Sequence, residues 1–317
     1  MLATVLGAVL PMVVTVLLGF VAAWHHDFGP KDASILNRMV LVYAVPLALF
    51  AGTVTTSRAQ LSQDIPLVIA LCVAIIGMYG VVLLFCRGFL QLPMNISALG
   101  ALSAAAPAVP FVGPAILGDL FGSSSAIPIA IASLVINLTV VPVTILLLTL
   151  NAAVGGSQET RPASQVSALK TKLVDTVREP IVWAPLLGFV FVLTGLRIPQ
   201  LVVHSLSMLG QASGGVALFA CGIVLAAAPI KVNRRVLWAV FLKIIVQPAL
   251  VLLGLRGLGY RNPIINEAVL TTAIPCMPIV IMFALKYHVA ESEAASAVLL
   301  SVIGSVITLG IFLVLTS

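Results

Sequence analysis

The sequence predicts an all-α membrane protein whose ten transmembrane helices form two inverted five-helix repeats, with helices 4 and 9 broken and crossed. Three observations lead to this prediction. The chain is 61% hydrophobic and 8% charged, whereas soluble domains carry about 25% charged residues. Ten apolar runs have lengths suited to crossing a bilayer. The two halves of the chain also share short motifs, including a pair of proline breaks.

Ten apolar segments approach the roughly 20 residues that a spanning helix needs. A hydrophilic stretch at 151–179 separates the fifth segment from the sixth and predicts a cytoplasmic linker. We therefore expect a first repeat at residues 1–150 and a second at 180–317. The segments are Leu2–Trp24, Ala33–Thr55, Ile65–Cys86, Asn95–Phe121, Ala126–Leu150, Pro180–Leu196, Val202–Ala228, Val236–Leu255, Pro263–Tyr287 and Ala294–Thr316.

Short matches recur between the two halves at nearly one offset. Ala-Leu-Phe-Ala occurs at Ala48–Ala51 and Ala217–Ala220, and Arg-Gly occurs at Arg87–Gly88 and Arg256–Gly257, with both pairs 169 positions apart. We interpret these matches as an internal repeat. Because each unit has an odd number of spans, the second unit enters the membrane from the opposite side, which makes the repeat inverted.

Proline breaks fall within the fourth and ninth segments. Ala106–Pro110 reads Ala-Pro-Ala-Val-Pro, and Ile274–Pro278, 168 positions later, reads Ile-Pro-Cys-Met-Pro. Each proline removes a backbone N–H and pushes the preceding residue toward an extended conformation, so a helix must stop and restart there. In lipid such a break is tolerated only beside protein or a water-filled cavity. Paired broken spans in matching halves indicate a binding site near the middle of the membrane, and two simple kinks are the alternative.

The helix restarts after the breaks predict an anion site. The first-turn N–H groups that follow Pro110 and Pro278 lack intrahelical partners, and the helix dipole adds partial positive charge. Inverted repeats bring the two starts together from opposite sides, so a carboxylate fits between them. The predicted site residues at the breaks are Pro107, Val109, Pro110, Phe111, Pro275, Cys276, Met277 and Pro278.

Lys243 is the one basic residue well inside a predicted span. It lies eight residues past Arg235, which is about 12 Å along a helix and close to the middle of the bilayer. An ionisable residue at that depth predicts a functional role. The alternative is a tether that bonds backbone carbonyls freed near Pro248 or the broken spans.

Other polar side chains at matching depth extend the predicted site. Asn137 can both donate and accept hydrogen bonds, which suits a carboxylate or an inter-helix bond, and its offset partner is Ser305. Ser103 and Thr271 each lie four residues before the first proline of a break. Their hydroxyls could contact the ligand or, more simply, bond the carbonyl that the proline leaves free.

Catalytic and metal-binding patterns are absent from the sequence. It has no His-Glu-x-x-His, no Gly-x-Ser-x-Gly and no Cys-x-x-Cys, and its four cysteines lie within apolar runs. We therefore expect no enzyme, no metal site and no cofactor apart from a coupling H⁺ or Na⁺. The absence of a basic stripe with interleaved aromatics argues against nucleic acid as a partner. The expected partners are the lipid bilayer and a small organic anion.

The distribution of Lys and Arg predicts that both termini face outward. Trp24, Trp183 and Trp238 then fall at cytoplasmic helix ends, where an interfacial aromatic belt is expected. With the N-terminus outside, four basic residues are external, namely Arg58, Arg197, Arg256 and Arg261. The basic residues on the cytoplasmic side are Lys31, Arg38, Arg87, Arg161, Lys170, Lys172, Arg178, Lys231, Arg234, Arg235 and Lys286.

Longer stretches of the sequence resemble the auxin efflux carrier family, particularly its short bacterial members described as malonate or oxalate transporters. The resemblance covers the whole chain and is specific only when its motifs are taken together. They are LPMVVTVLLGF at Leu10–Phe20, LNRMVLVYAVPLALF at Leu36–Phe50, REPIVWAPLL at Arg178–Leu187 and LKIIVQP at Leu242–Pro248.

This resemblance implies a scaffold of helices 1, 2, 6 and 7, which often dimerises, and a transport domain of helices 3–5 and 8–10 that moves as an elevator. It also implies that the prolines at 107, 110, 275 and 278 are the crossover positions. Plant members place an Asn at the first crossover, where this chain has Ala106 and Ala108, so auxin is not the expected substrate.

The predicted function is secondary active transport, by an elevator-type carrier, of a small organic anion. A dicarboxylate such as malonate or oxalate is the expected substrate, and the cell inner membrane is the expected location. One alternative is a sodium- or proton-coupled symporter of a larger amphipathic carboxylate, similar to the bile-acid symporters. A non-transporting membrane receptor is another.

Overall fold

A computed structural model describes residues 2–55, 65–154, 180–196, 198–227 and 230–316. Most of the predicted linker, 155–179, lies outside these ranges, as do Arg58 and Arg197. In chain order the helices are α1 (Leu2–Trp24), α2 (Pro30–Val54), α3 (Ile65–Gly88), α4 (Met94–Ala105), α5 (Val109–Phe121), α6 (Ala126–Leu150), α7 (Pro180–Thr194), α8 (Gln200–Ala227), α9 (Arg234–Gly257), α10 (Ile264–Ala273), α11 (Ile279–Tyr287) and α12 (Glu291–Thr316).

The predicted all-α class is confirmed, because every regular element in the described ranges is a helix. By length and composition, α2, α3, α6, α8, α9 and α12 could each cross a membrane. Shorter apolar helices are formed by Leu10–Trp24 of α1 and by α4, α7 and α10. The predicted fourth and ninth segments are each divided into two helices, α4 with α5 and α10 with α11.

Both helix breaks follow from the prolines. After α4 the backbone at Ala106 is extended, with φ −91° and ψ 109°. After α10 the backbone at Ile274 turns to φ −56° and ψ 138°. Each of these residues directly precedes a proline, whose ring disfavours the helical conformation at the residue before it. The helices resume at Val109 and Ile279.

The two interrupted segments meet and pair with each other. Pro107 and Cys276 form an antiparallel bridge. The Ala108 N–H donates to the carbonyl oxygen of Pro275 at 2.9 Å, and the Met277 N–H donates to that of Ala106 at 3.1 Å. Backbone groups that the breaks release are therefore satisfied by the opposite break, as burial in an apolar bundle requires. We refer to segments 106–108 and 274–278 as the crossing.

Four π turns interrupt the long helices in the described part of the chain, and three of them have one cause. Each of the three is centred four residues before a proline, where the ring would clash with the carbonyl of a regular α-helix. Widening the turn relieves this clash. These three turns, with the proline that follows each, are Val40–Ala44 with Pro46, Ile136–Val140 with Pro142 and Leu242–Val246 with Pro248. The fourth, Val73–Gly77, has no such proline.

Helices α1, α2, α7 and α8 pack against one another at backbone distance. A methyl group at Gly19 of α1 would lie 2.0 Å from the carbonyl oxygen of Phe219 in α8. A methyl group at Gly188 of α7 would lie 3.2 Å from the carbonyl oxygen of Phe50 in α2. Because only glycine permits such an approach, these contacts bring the helix axes close together. We refer to these helices as the four-helix body.

The outer surface is apolar and the interior holds few charges. Large apolar side chains are exposed along the helices, for example Leu84 at 72% and Leu201 at 78%, which suits contact with lipid tails. The buried charged side chains among the described residues are Lys243 and Glu267. A charge in such an interior requires a specific partner.

Candidate functional site

A cavity of about 1080 Å³ lies between the four-helix body and the helices that follow the first break. Its walls come from α1, α2, α5, α6 and α8. Most of the lining is apolar, and no charged side chain among the described residues takes part in it. The polar or break-forming side chains on the wall are Thr15, Thr53, Thr55, Pro110, Ser125, Ser133, Asn137, Ser207, Gln211 and Ser213.

Asn137 and Ser133 face this cavity one helical turn apart on α6. Asn137 is 2% exposed. Its Oδ1 and the Ser133 Oγ are both buried and have no hydrogen-bond partner within the described part of the protein. An unpaired buried polar group costs about 1–3 kcal/mol, so these two side chains make this wall the candidate site for a ligand.

The N-terminus of α5 adjoins the same wall, where Pro110 lies. The Ala108 N–H is occupied by Pro275, and the Ala108 carbonyl accepts from Val112. Helix geometry leaves the amides of Val109 and Phe111 without an intrahelical acceptor. The start of this 13-residue helix therefore carries partial positive charge beside the cavity. The Phe111 side chain is outside the described part of the structure.

The second restart, at α11, lies away from the cavity. Pro275, Cys276, Met277 and Pro278 do not line the cavity, and every residue from 271 to 285 is buried. The Cys276 N–H donates to the Ser301 hydroxyl at 3.1 Å. Only the start of α5 adjoins the cavity in this structure, so the expectation that both helix starts face one ligand stays a prediction. The N–H groups just before α11 are already bonded, that of Cys276 to Ser301 in α12 and that of Met277 to Ala106 in the first break.

Lys243 is placed as a tether and does not line the cavity. Its ammonium is fully buried and donates to the Gln247 Oε1 and to the Thr272 carbonyl oxygen, each at 2.7 Å. Thr272 lies in the last turn of α10, just before the second break. Of the two roles predicted for Lys243, its observed contacts are those of the tether.

Ser103, Thr271 and Ser305 satisfy their hydroxyls locally. The Ser103 hydroxyl donates to Leu99 O at 2.8 Å, the Thr271 hydroxyl to Glu267 O and the Ser305 hydroxyl to Val302 O at 2.7 Å. Ser103 and Thr271 were expected to bond the carbonyl released by a proline. They bond the carbonyl one turn earlier instead, because a helical Ser or Thr hydroxyl readily reaches back four residues.

Two of the predicted site residues, Pro110 and Asn137, line the cavity together. Val109 is buried behind them and packs against Gly113. Pro107 lies in the crossing. Ser133 was not predicted, although its sequence position offers a signal, since Ser301 follows it by the 168-residue offset of the proline breaks.

Interrupted helices that pair inside an apolar helical bundle, next to a cavity with unpaired polar groups, define a membrane transport protein. The family model described as "Membrane transport protein" matches residues 4–313. The chain belongs to this family, the auxin efflux carrier family, which confirms the resemblance found in its sequence.

Similar proteins include bacterial relatives that match over almost their full length. The "Uncharacterized transporter YfdV" of Escherichia coli (strain K12) is 29% identical over 310 residues, which cover 97% of this chain and 96% of that protein. The "Putative malonate transporter" of Rhizobium meliloti (strain 1021) is 26% identical, covering 97% and 94%. "Auxin efflux carrier component 1" of Arabidopsis thaliana is 28% identical over 130 residues, covering 39% of this chain and 21% of that protein.

Proposed function

We propose that the protein is a secondary active carrier of a small organic anion, with a dicarboxylate such as malonate or oxalate as the first candidate. The observation that carries this proposal is Asn137, whose buried Oδ1 has no partner on the wall of the cavity. The name of the Rhizobium relative supports malonate as the first acid to test.

The cavity chemistry favours an acid that keeps one proton. A carboxylate carries negative charge, and the partial positive charge at the start of α5 favours an anion nearby. The Asn137 Oδ1 can only accept, which suits a ligand group that donates, whereas the Ser133 hydroxyl can donate or accept. A protonated carboxyl group supplies that donor. A hydrogen dicarboxylate with one negative charge therefore fits this wall better than a dianion, for which the described lining offers no cationic side chain.

We further propose that the helices form ten spans in two inverted repeats. The contacts Gly19–Phe219 and Gly188–Phe50 support this arrangement, because each residue of the first pair is related to one of the second by 169 positions. The π turns Val73–Gly77 and Leu242–Val246 are related by the same offset. In the first contact the glycine belongs to the first half and the carbonyl to the second, and in the other contact the halves are exchanged. An internal two-fold axis produces this pattern.

An elevator movement follows from this division. The four-helix body is held by close backbone contacts, which makes it suitable as a scaffold. The cavity lies between this body and α5 with α6, so a shift of the crossing and its neighbouring helices would carry a bound ligand across the membrane. Alternating access by movement of one bundle against another is the usual mode for such folds.

The proposed topology places both termini in the periplasm and the protein in the inner membrane. Trp24, Trp183 and Trp238 are 69%, 45% and 60% exposed, which supports their assignment to an interfacial belt. A cysteine replacing Arg261, an exposed residue that this topology places outside, should react with a membrane-impermeant maleimide in spheroplasts of a variant whose four native cysteines are removed. Reaction only after the membrane is opened would reverse the orientation.

The size of the cavity favours a second candidate. A volume of about 1080 Å³ with a mainly apolar lining leaves much space around a three-carbon acid. A larger amphipathic carboxylate would fill it, which corresponds to a sodium- or proton-coupled symporter. Competition of malonate uptake by amphipathic acids, measured with and without sodium, separates the two candidates.

Uptake of radiolabelled malonate into proteoliposomes tests the main proposal. Asn137→Ala and Ser133→Ala should each lower uptake about tenfold, the equivalent of about 1.4 kcal/mol. The matched control is Ser305→Ala, which removes a buried hydroxyl at the position equivalent to Asn137 but outside the cavity. Equal uptake by all variants would show that the cavity wall formed by Asn137 and Ser133 takes no part in transport. Binding of the acid without counterflow would instead indicate a receptor.

A further inference from the structure

Lys243 and Gln247 form a buried polar site behind the cavity. The Lys243 ammonium is 0% exposed and has two oxygen neighbours at 2.7 Å, the Gln247 Oε1 and the carbonyl of Thr272. The Gln247 Nε2 donates to the carbonyl of Ala105 at 3.0 Å and to that of Ala74 at 3.1 Å. These bonds use the amide nitrogen and oxygen of Gln247 together, so the orientation of its side chain is fixed by the network.

The site joins three interruptions of the helical backbone. Ala105 is the last residue of α4, and Thr272 lies in the last turn of α10. Ala74 belongs to the π turn of α3 that no proline explains. The carbonyls of Ala105 and Thr272 lack regular helical partners, whereas that of Ala74 also accepts from the Met78 N–H. One pair of side chains from α9 therefore supplies donors to both halves of the crossing.

The C-terminal ends of two half-helices carry partial negative charge and unpaired carbonyl oxygens. In transporters with broken helices, such ends and unwound carbonyls coordinate the coupling Na⁺ or H⁺. Here the positive charge at this place belongs to a lysine side chain. Its nearest oxygen atoms are neutral carbonyl and amide oxygens, which are also ligands that a small monovalent cation accepts.

We infer that the Lys243 ammonium is a built-in cation that stands in place of a dissolved coupling ion at the crossing. The protein therefore needs no sodium to hold the two half-helix ends together. Removing the ammonium while keeping its oxygen neighbours creates a site for a small monovalent cation. Any effect of this site on transport rests on the proposed function, whereas cation binding by a variant that lacks the ammonium does not. This inference and the proposed function can therefore fail separately.

Two substitutions distinguish this role from simple packing. Lys243→Ala removes the ammonium and leaves space beside the Thr272 carbonyl and the Gln247 Oε1. Lys243→Met removes the charge but fills the same space with an apolar chain of similar length, so it leaves no room for a cation. Lys31→Ala serves as a control, because Lys31 is an exposed lysine near the start of α2.

The test is thermal unfolding of the full-length purified variants in detergent, with sodium, methylammonium or choline chloride at constant ionic strength. Lys243→Ala should show a saturable rise in Tm with sodium or methylammonium but not with choline. The wild type, Lys243→Met and Lys31→Ala should not respond. A folded Lys243→Ala protein that ignores both cations would overturn the inference.

A second measurement uses the wild type alone, in case Lys243→Ala does not fold. Equilibrium binding of radioactive sodium to the purified wild-type protein should give no saturable signal. Stoichiometric sodium binding would overturn the inference, because the protein would then bind a sodium ion in addition to the Lys243 ammonium. Neither measurement requires the transported acid to be known.

Discussion

Ser301 accepts the N–H of Cys276 at 3.1 Å, whereas Ser133, which stands 168 positions earlier, leaves its hydroxyl oxygen unpaired at the cavity. The two serines occupy equivalent positions in the two halves of the chain, yet one supports the crossing and the other lies on the wall of the cavity. The polar pair on α6 is therefore available for binding because the first break finds its partners elsewhere, through the Ala108 bond to Pro275.

Exchanging these two serines for alanine should separate stability from binding. Ser301→Ala leaves the buried Cys276 amide without an acceptor and should lower the free energy of unfolding by about 1–3 kcal/mol. Ser133→Ala removes an oxygen that has no partner, so Tm without ligand should not fall. Thermal unfolding of both variants in detergent checks this difference. Equal destabilisation of the two would contradict the asymmetry between the repeats.

Gln247→Leu should be among the most damaging single substitutions. It removes the side-chain donor to the carbonyls of Ala105 and Ala74 and one of the two acceptors of the Lys243 ammonium, and a buried polar group that loses its partner costs about 1–3 kcal/mol. We expect a large fall in Tm and in the yield of monodisperse protein. Gln211→Leu, at an exposed position of the cavity wall, is the control and should fold normally. A stable Gln247→Leu protein would show that the crossing does not depend on this side chain.

Gly222→Ala tests the backbone contact inside the four-helix body. A methyl group there would lie 2.1 Å from the carbonyl oxygen of Val16, so α1 and α8 must move apart. We expect a loss of about 1–3 kcal/mol, as for other overpacked sites. Gly215→Ala, on the same helix and with no atom within 4 Å of the added methyl, should leave Tm unchanged. Equal Tm values for both variants would argue against close packing of these helices.

Composition and proline chemistry allowed much of the fold to be predicted. Pro107 and Pro275 located both helix breaks because a proline acts on its own backbone, whatever surrounds it. The same rule explains the π turns before Pro46, Pro142 and Pro248. The turn at Val73–Gly77 could not be predicted this way, since no proline follows it at that spacing; the Gln247 side chain donates to its Ala74 carbonyl from across the bundle.

The candidate site was harder to predict from the sequence than the fold, because equivalent residues in the two repeats need not have the same surroundings. Asn137 was identified from its polarity in an apolar segment, and Lys243 from its depth. Whether each faces a ligand or another helix depends on packing that the repeat offset does not determine. Ser133 was missed for a related reason, since a helical serine usually bonds its own backbone and rarely signals a cavity.

The most direct test of the central claim is binding of an organic acid to the wall formed by Asn137 and the start of α5. Isothermal titration of malonate and oxalate into purified wild type, Asn137→Ala and Ser305→Ala should give saturable binding to the wild type and to Ser305→Ala. Affinity for Asn137→Ala should be about tenfold weaker, at equal Tm without ligand. Equal affinity for all three proteins would contradict the account.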